Sequence, residues 1–218
     1  MNISITAMLG QLAGGMLGTI GIFFATILFS LPLGLVVAFA RMSKVKIVQW
    51  IAKIYISIMR GTPLMLQLMV VYFGPYYIFG IRISASYRLS AVLIAFAVNY
   101  AAYFAEIYRG GIESMPVGQH EAARLLGYSK GQTFFRIIFP QVIKRIMPSV
   151  TNEVITLVKD TSLAFSIAYA EMFTTAKQIA AAQTSIIPLI SAGIFYYLFN
   201  LIVAVAMESL EKKLNYYR

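Results

Sequence analysis

Cysteine is absent from this 218-residue chain, and His120 is its only histidine. These absences exclude disulfides, thiol nucleophiles, zinc clusters and cysteine-ligated iron–sulfur clusters. Charge is also scarce, since only 12% of the residues are Asp, Glu, Lys or Arg. Scattered carboxylates and one histidine do not assemble a catalytic cluster, so we expect no catalytic residue, no metal site and no cofactor.

Hydrophobic residues make up 60% of the chain, a larger share than soluble domains normally have. This composition predicts an all-α integral membrane protein in contact with membrane lipid. Its length allows about five spans of ~20 residues, so we expect one domain over residues 1–218. The net charge of +10 fits basic cytoplasmic loops, and we expect no nucleic acid.

Long uncharged or nearly uncharged runs predict five transmembrane helices. Closed barrels would require short alternating strands instead, and helices satisfy their own backbone hydrogen bonds in lipid. The second run is interrupted at residues 60–63, where the sequence reads RGTP. The five runs cover residues 12–40, 47–79, 89–108, 146–172 and 186–207.

Lysine and arginine are unevenly distributed among the connections. Residues 1–13 have none, and the second and fourth connections carry only Arg82, Arg88 and Lys177. Basic residues favour the cytoplasmic side, so this distribution predicts an outside amino terminus and an inside carboxyl terminus. The parts predicted inside carry Arg41, Lys44, Lys46 and Lys53, then Arg109, Arg124, Lys130, Arg136, Lys144 and Arg145, and finally Lys212, Lys213 and Arg218.

The third connection, residues 109–145, is long for a helical bundle, which predicts structure of its own. Gly127 suits a left-handed helix end, and Ser129 with Gln132 predicts a capping box for a second short helix that Pro140 ends. The apolar side chains of the two helices form a surface that must be covered by the bilayer, by the bundle itself or by a groove on a partner. They are Ala122, Ala123, Leu125, Leu126, Phe134, Phe135, Ile137 and Ile138.

The stretch Glu121-Ala122-Ala123, followed by Gly127, Ile138 and Pro140, resembles the EAA loop of bacterial ABC importer permeases. That family often has leucine before the last proline of the loop, where this chain has Phe139. Three further stretches resemble the polar amino-acid subfamily that includes histidine, arginine and glutamine permeases. They are RGTPLMLQL (60–68), NYAAYFAEIYRGGIESMPVGQHEAA (99–123) and NEVITLVKDTSLA (152–164).

The resemblance covers nearly the whole chain and implies the permease fold of a type I ABC importer. It also implies two ATPase subunits, a second permease subunit that is identical or paralogous, with a homodimer expected, and an extracytoplasmic solute-binding protein. The residues implied in coupling to the ATPase are Glu121, Ala122, Ala123, Arg124 and Gly127. The chain has no phosphate-binding G-x-x-x-x-G-K-[ST] sequence, so we expect ATP hydrolysis in a separate chain.

Polar side chains mark one face of the fourth predicted helix. On a helical wheel Ser149, Asn152, Glu153, Thr156, Lys159 and Asp160 share one arc. Charged groups inside a span are functional by default, which makes Asn152, Glu153, Thr156 and Asp160 candidate solute contacts. Asn99 and Gln67 on the neighbouring helices are further candidates. Lys159 and Asp160 could instead be structural, and Asn99 could join helices by a hydrogen bond.

Glu153 has no basic residue one helical turn away on its own helix, so its carboxylate requires a cationic partner or a proton. We interpret that partner as the solute, either the cationic side chain of arginine, lysine or histidine or the α-ammonium of any amino acid. Thr62 could N-cap a helix beginning at Pro63, whose amides would hold the solute carboxylate beside Arg60. Glutamine, glutamate or other amino acids stay possible solutes, and an ATP-independent channel or secondary carrier is the alternative class.

Overall fold

The computed structural model describes residues 4–214, and all regular secondary structure in that range is helical. Arg218 of the predicted cytoplasmic tail lies outside the described residues. The helices are α1 (Ile5–Arg41), α2 (Lys46–Gly61), α3 (Leu64–Phe79), α4 (Tyr87–Glu113), α5 (Val117–Leu125), α6 (Lys130–Thr133), α7 (Phe139–Asp160), α8 (Met172–Gln183) and α9 (Ile187–Leu214). A π-helical turn (Phe134–Ile138) precedes α7, and a 3-10 helix (Thr161–Ile167) follows it.

Three of these helices, α1, α4 and α9, are each long and apolar enough to cross a membrane. The helices α2 and α3 meet the same criterion as a pair, bent by 108° at their junction, where the RGTP interruption predicts a break. Helix α7 has 22 residues and is not among the helices that meet the criterion, because five of its side chains are charged. The described residues therefore contain up to four spans by this measure, and a fifth span through α7 stays a prediction.

The apolar run 146–172 predicts one continuous helix, and that prediction is wrong at both ends. Helix α7 begins at Phe139, before the predicted start at residue 146, and it ends at Asp160, where the 3-10 helix follows. The Thr161 hydroxyl donates to the Val158 carbonyl oxygen at 2.7 Å. A hydroxyl that bonds a carbonyl three residues back fits the tighter turn, and a long apolar run gives no sign of it.

Helix α1 packs along α4 through small residues. A Cβ added to Gly34 of α1 would lie 2.8 Å from Cβ of Phe104 and 3.1 Å from the Ala101 carbonyl oxygen. Ala38 on the same side of α1 shares a buried cluster with Ala105. Small side chains let two helix backbones approach closely where lipid provides no hydrophobic driving force. This contact fixes α4 at the centre of the bundle.

A buried carboxylate anchors the start of α8. Glu171 is fully buried and accepts hydrogen bonds from the Phe173 N–H at 2.6 Å and from the Tyr196 hydroxyl of α9 at 2.9 Å. The next amide, that of Met172, donates to the Thr19 hydroxyl of α1 at 3.3 Å. A buried carboxylate must be hydrogen-bonded, so this N-cap also joins α8 to α1 and α9.

Replacing Gly34 by alanine should destabilise the protein, because the new methyl group overlaps backbone and Cβ atoms that cannot move independently. Overpacking of this kind costs about 1–3 kcal/mol. The measurement is the thermal unfolding midpoint of the detergent-solubilised protein. Gly21→Ala is the matched control, since a Cβ at Gly21 meets nothing within 4 Å; an unchanged midpoint for Gly34→Ala would contradict the close contact.

Candidate functional site

The polar face predicted for the fourth helix is present on α7. The buried side of this helix consists of Val150, Val154, Leu157 and Val158, together with residues of its first turns. The predicted polar arc lies on the open side, where Ser149, Asn152 and Lys159 are exposed and Glu153, Thr156 and Asp160 are half-buried. Helix α7 therefore packs on the bundle through apolar side chains and presents its polar arc outward.

One carboxylate oxygen of Asp160 is tied to α4. The Tyr100 hydroxyl donates to Asp160 Oδ2 at 2.7 Å, and Tyr100 is only 2% exposed. Within residues 4–214 no basic side chain forms an ion pair with Asp160. Asp160 is therefore held in position by a buried tyrosine while its charge is not neutralised by an ion pair in the described chain.

Glu153 is half-buried, and in the described part of the chain it makes no hydrogen bond or ion pair. Arg60, in the last turn of α2, is close enough to act on Glu153 electrostatically. The Arg60 guanidinium carbon lies 5.3 Å from the centroid of the Tyr103 ring of α4, which is a cation–π contact. The structure thus places the Arg60 guanidinium over an aromatic ring of α4 and within electrostatic range of the Glu153 carboxylate.

Gln67 and Asn99 bridge the junction between α2 and α3. The Asn99 amide nitrogen donates to Gln67 Oε1 at 2.9 Å and to the Met59 carbonyl oxygen at 3.0 Å. The Gln67 amide nitrogen donates to the same carbonyl oxygen at 3.0 Å and to the Thr62 hydroxyl at 2.7 Å. A helix end leaves its last carbonyl groups without intrahelical partners, and these two amides satisfy them.

Thr62 does not cap α3, so the prediction that it N-caps a helix beginning at Pro63 is wrong. Pro63 itself occupies the N-cap position without a side-chain bond, and the helix begins at Leu64. The Thr62 hydroxyl donates backward to the Ile58 carbonyl oxygen of α2 at 2.8 Å and accepts from Gln67. The free carbonyl groups of α2 compete for this hydroxyl because lipid offers them no other donor.

The eight predicted solute-contacting residues therefore form two groups. Gln67, Asn99 and Thr62 bond to one another and to the backbone at the α2–α3 junction. The other five lie on α7 and at the end of α2, and they are Asn152, Glu153, Thr156, Asp160 and Arg60. No group of His, Asp or Glu side chains within residues 4–214 is arranged to hold a metal ion.

Sequence reasoning missed Tyr100, which positions Asp160. Tyr100 is displaced by about 100° on the helical wheel from its neighbour Asn99, so it lies on a different face of α4 from that candidate residue. The available signal was a tyrosine in an apolar helix, since a buried tyrosine hydroxyl normally has a hydrogen-bond partner. The identity of that partner depends on the packing of α7 against α4.

The connection predicted over residues 109–145 contains a helix–turn–helix joined at Gly127, as expected. Gly127 adopts the left-handed conformation, with φ of 78°. The Tyr128 N–H donates to the Ala123 carbonyl oxygen at 3.0 Å, and the Gly127 N–H donates to the Arg124 carbonyl oxygen at 3.0 Å. These two bonds form the Schellman motif, in which glycine avoids the penalty of a left-handed residue.

The capping box of Ser129 and Gln132 is confirmed, with backbone-to-side-chain distances of 3.2 and 2.9 Å. The prediction that Pro140 ends the second helix is wrong. Helix α6 continues through the π-helical turn into α7, with Pro140 in the first turn of α7. The Phe139 N–H bonds the carbonyl group at the start of the π-helical turn, and this wider turn accommodates a proline that has no N–H of its own.

The predicted coupling residues lie on α5 and its carboxyl-terminal turn. Glu121, Ala122 and Arg124 are exposed, whereas Ala123 is 1% exposed. The EAA stretch therefore buries one alanine within the helix–turn–helix and turns its other side chains outward.

The apolar surface predicted beside the EAA stretch is only partly covered. Ile138 is fully buried beneath the loop, in the core of the bundle. Leu125, Leu126 and Phe135 are 89%, 76% and 64% exposed. The bundle thus buries part of the predicted apolar surface and leaves the rest exposed.

Two polar contacts join α7 to α5 and to the residues just before it. The amide groups of Gln119 and Gln141 donate to each other at 2.8 Å in both directions. The Arg145 guanidinium donates to the Ser114 carbonyl oxygen just before α5 at 3.0 Å. The loop is therefore joined to the same helix that carries Glu153 and Asp160.

Comparison with known proteins identifies relatives over almost the whole chain. The family model described as "Binding-protein-dependent transport system inner membrane component" matches residues 30–216. The chain is 36% identical to the arginine transport system permease protein ArtQ of Bacillus subtilis, over 99% of each chain. It is 35% identical to the L-cystine transport system permease protein TcyB of the same organism, over 94% of this chain and 87% of the relative.

A solved structure is also similar throughout. A chain in the crystal structure of an amino acid ABC transporter with histidines superposes with a TM-score of 0.86 at 30% sequence identity. The superposition covers 98% of this chain and 100% of that one.

Replacing Gln67 or Asn99 by alanine should destabilise the protein by about 1–3 kcal/mol each, because the remaining amide loses its hydrogen bond to the other. Because the two amides share one network, the double variant should lose less than the sum of the single losses. The measurement is a thermal unfolding series of the wild type and the three variants. Gln11→Ala, at an exposed glutamine of α1, is the control; additive losses would contradict a shared network.

Proposed function

The chain belongs to the family of binding-protein-dependent transport system inner membrane components, and we propose that it passes basic amino acids across the membrane. It is an inner-membrane permease subunit of an amino-acid ABC importer with the type I permease fold. It catalyses no covalent step, because in this family ATP hydrolysis belongs to a separate chain. The resemblance found in the sequence is thereby confirmed.

The choice of basic amino acids is supported above all by the carboxylates of α7. Glu153 is half-buried without a hydrogen bond or ion pair among the described residues, and Asp160 lies on the same face with one oxygen held by Tyr100. Negative charge that is partly desolvated favours a cation. The guanidinium or ammonium group of arginine, lysine or histidine would supply that cation, with Asn152 and Thr156 contributing neutral hydrogen bonds.

Arg60 supports recognition of the opposite end of an amino acid. Its guanidinium group is oriented by the Tyr103 ring and lies near the polar face of α7, where it would pair with the solute carboxylate. The amides of α3 are a weaker candidate, since Thr62 does not present a cap there. Recognition of only the α-ammonium by Glu153 would instead admit glutamine, glutamate or other amino acids.

The partners we propose are a second copy of this permease, two ATPase subunits and an extracytoplasmic solute-binding protein. One relative carries arginine in its name and another L-cystine, so amino-acid import is common to them while the solute differs. The single domain over residues 1–218, the five spans and the outside amino terminus are parts of the same proposal. A channel or secondary carrier would transport without ATP.

Coupling is proposed to occur at the loop formed by α5 and α6. The exposed side chains of Glu121, Ala122 and Arg124 and the open apolar surface at Leu125 and Leu126 would enter a groove of the ATPase. An amphipathic helix in a hydrophobic groove is a common recognition mode. ATP binding would draw the two docked loops together and move the permease subunits between inward-facing and outward-facing states.

Glu153→Gln should weaken arginine binding by the purified permease–ATPase complex about 10- to 100-fold, the effect of losing a hydrogen bond to a charged group. Arginine-dependent ATPase activity should fall in parallel. Glu208→Gln, at an exposed glutamate of α9, is the matched control. Unchanged arginine binding would exclude the cationic pocket, and an equal loss of glutamine binding would assign Glu153 to the α-ammonium.

Gly127→Val should lower ATPase assembly and ATP-dependent uptake, because a β-branched residue is strained at positive φ. Membrane insertion should be unaffected, since the loop lies between spans. The measurements are co-purification with the ATPase and uptake into vesicles. Gly110→Val provides the control, because Gly110 lies in α4 and an added Cβ there meets nothing within 4 Å; normal assembly of Gly127→Val would contradict the docking role.

A further inference from the structure

A groove between α1 and α2 plays no part in the proposed transport pathway. It has a volume of about 410 Å³ and is lined by apolar side chains that include Leu33 and Val37 of α1 and Val48 and Ile51 of α2. The Tyr55 hydroxyl, which also borders it, donates to a backbone carbonyl of α4. The walls therefore offer hydrocarbon and no free polar group to a ligand.

The lining residues Ala40 and Val48 flank the short connection between α1 and α2, which is basic. Lys44 lies in this connection and Lys46 begins α2, and both are exposed. No acidic residue precedes Glu106 in the sequence. In residues 4–214 the carboxylate oxygens form no ion pair with either lysine, whereas the neighbouring Arg41 lies 4.0 Å from Glu106.

The groove and the two lysines together have the polarity of an amphiphile, with hydrocarbon along the walls and positive charge at one end. We infer that this is a binding site for an anionic phospholipid, whose acyl chain lies in the groove and whose phosphate contacts Lys44 and Lys46. Basic pockets between transmembrane helices are known to bind acidic headgroups. This inference does not depend on which solute the permease carries.

Two observations favour a lipid over a second copy of this chain. In a symmetric dimer both copies would contribute this same surface, which would place the unpaired lysines of both copies in one interface. Trp50, the only tryptophan of the chain, lies on α2 and is 63% exposed. Exposed tryptophan concentrates at the headgroup level of a bilayer, which is the depth that a phosphate between Lys44 and Lys46 requires.

The test is a titration of the purified permease–ATPase complex, delipidated in detergent, with phosphatidylglycerol or phosphatidylcholine of identical acyl chains. Native mass spectrometry counts the bound lipids. Phosphatidylglycerol should bind more tightly, and Lys44→Gln combined with Lys46→Gln should weaken its binding about 30-fold at low salt, about fivefold per lysine. Phosphatidylcholine binding should hardly change in that variant.

A second variant tests the groove itself. Ile51→Trp fills it and should weaken binding of both lipids, whereas Ile47→Trp, at a 70% exposed position of the same helix outside the groove lining, should not. Lys212→Gln with Lys213→Gln is the control for charge. If the Ile51→Trp complex does not assemble, the Lys44→Gln, Lys46→Gln variant alone tests whether the site binds an anionic headgroup.

Three results would overturn the inference. Equal affinity for the two lipids would mean that the groove takes acyl chains without headgroup recognition. An equal loss in the Lys212/Lys213 control would mean general attraction to a basic protein. A change of oligomeric state in Ile51→Trp, without a change in lipid binding, would assign the groove to a contact between copies.

Discussion

The junction between α2 and α3 interrupts a helix in a medium that supplies no hydrogen-bond donors, and the proposed pathway depends on how its carbonyl groups are satisfied. Gln67 and Asn99 both donate to the Met59 carbonyl oxygen, and Thr62 donates to that of Ile58. These bonds allow the two helices to diverge by 108°. The bend in turn brings Arg60 over Tyr103 and toward the polar face of α7. Without this bend, α3 would continue α2 in a straight line. The Arg60 guanidinium group would then not lie over the Tyr103 ring.

Helix α4 is the element to which each part of this arrangement is attached. Asn99 bonds the junction, Tyr100 bonds Asp160, and Tyr103 supports Arg60. Tyr100 points about 100° away from Asn99 on the helical wheel, whereas Tyr103 lies on nearly the same face as Asn99, so α4 contacts both α7 and the α2–α3 junction. Its opposite side packs on α1 through small residues such as Gly34, which lets the two helix backbones approach closely. The candidate site thus depends on a helix that contributes few of its predicted solute contacts.

Local sequence signals predicted the features that depend on neighbours in the chain. The polar arc of α7, the break after Arg60, the left-handed Gly127 and the capping box at Ser129 each follow from spacing or residue type. Features that depend on tertiary partners were not predictable in this way. The Thr62 hydroxyl bonds to α2 because a free carbonyl group of that helix lies within reach, and it also accepts from Gln67 of α3. Asp160 accepts from Tyr100 only because α7 packs on α4. Sequence analysis offered a hydrogen bond between helices as one role of Asn99, but it could not identify Gln67 and Met59 as the partners.

The continuity of the chain beyond Pro140 gives the loop a mechanical relation to the site. A helix ended by Pro140 would leave the loop as a separate knob on a flexible link, whereas α6, the π-helical turn and α7 form one uninterrupted helical stretch. The reciprocal bonds of Gln119 and Gln141 fix α5 to its first turns. A displacement of the loop must therefore move the first turns of α7 with it. Glu153 and Asp160 lie further along the same helix, beyond Pro148, so α7 itself connects the loop with the polar face.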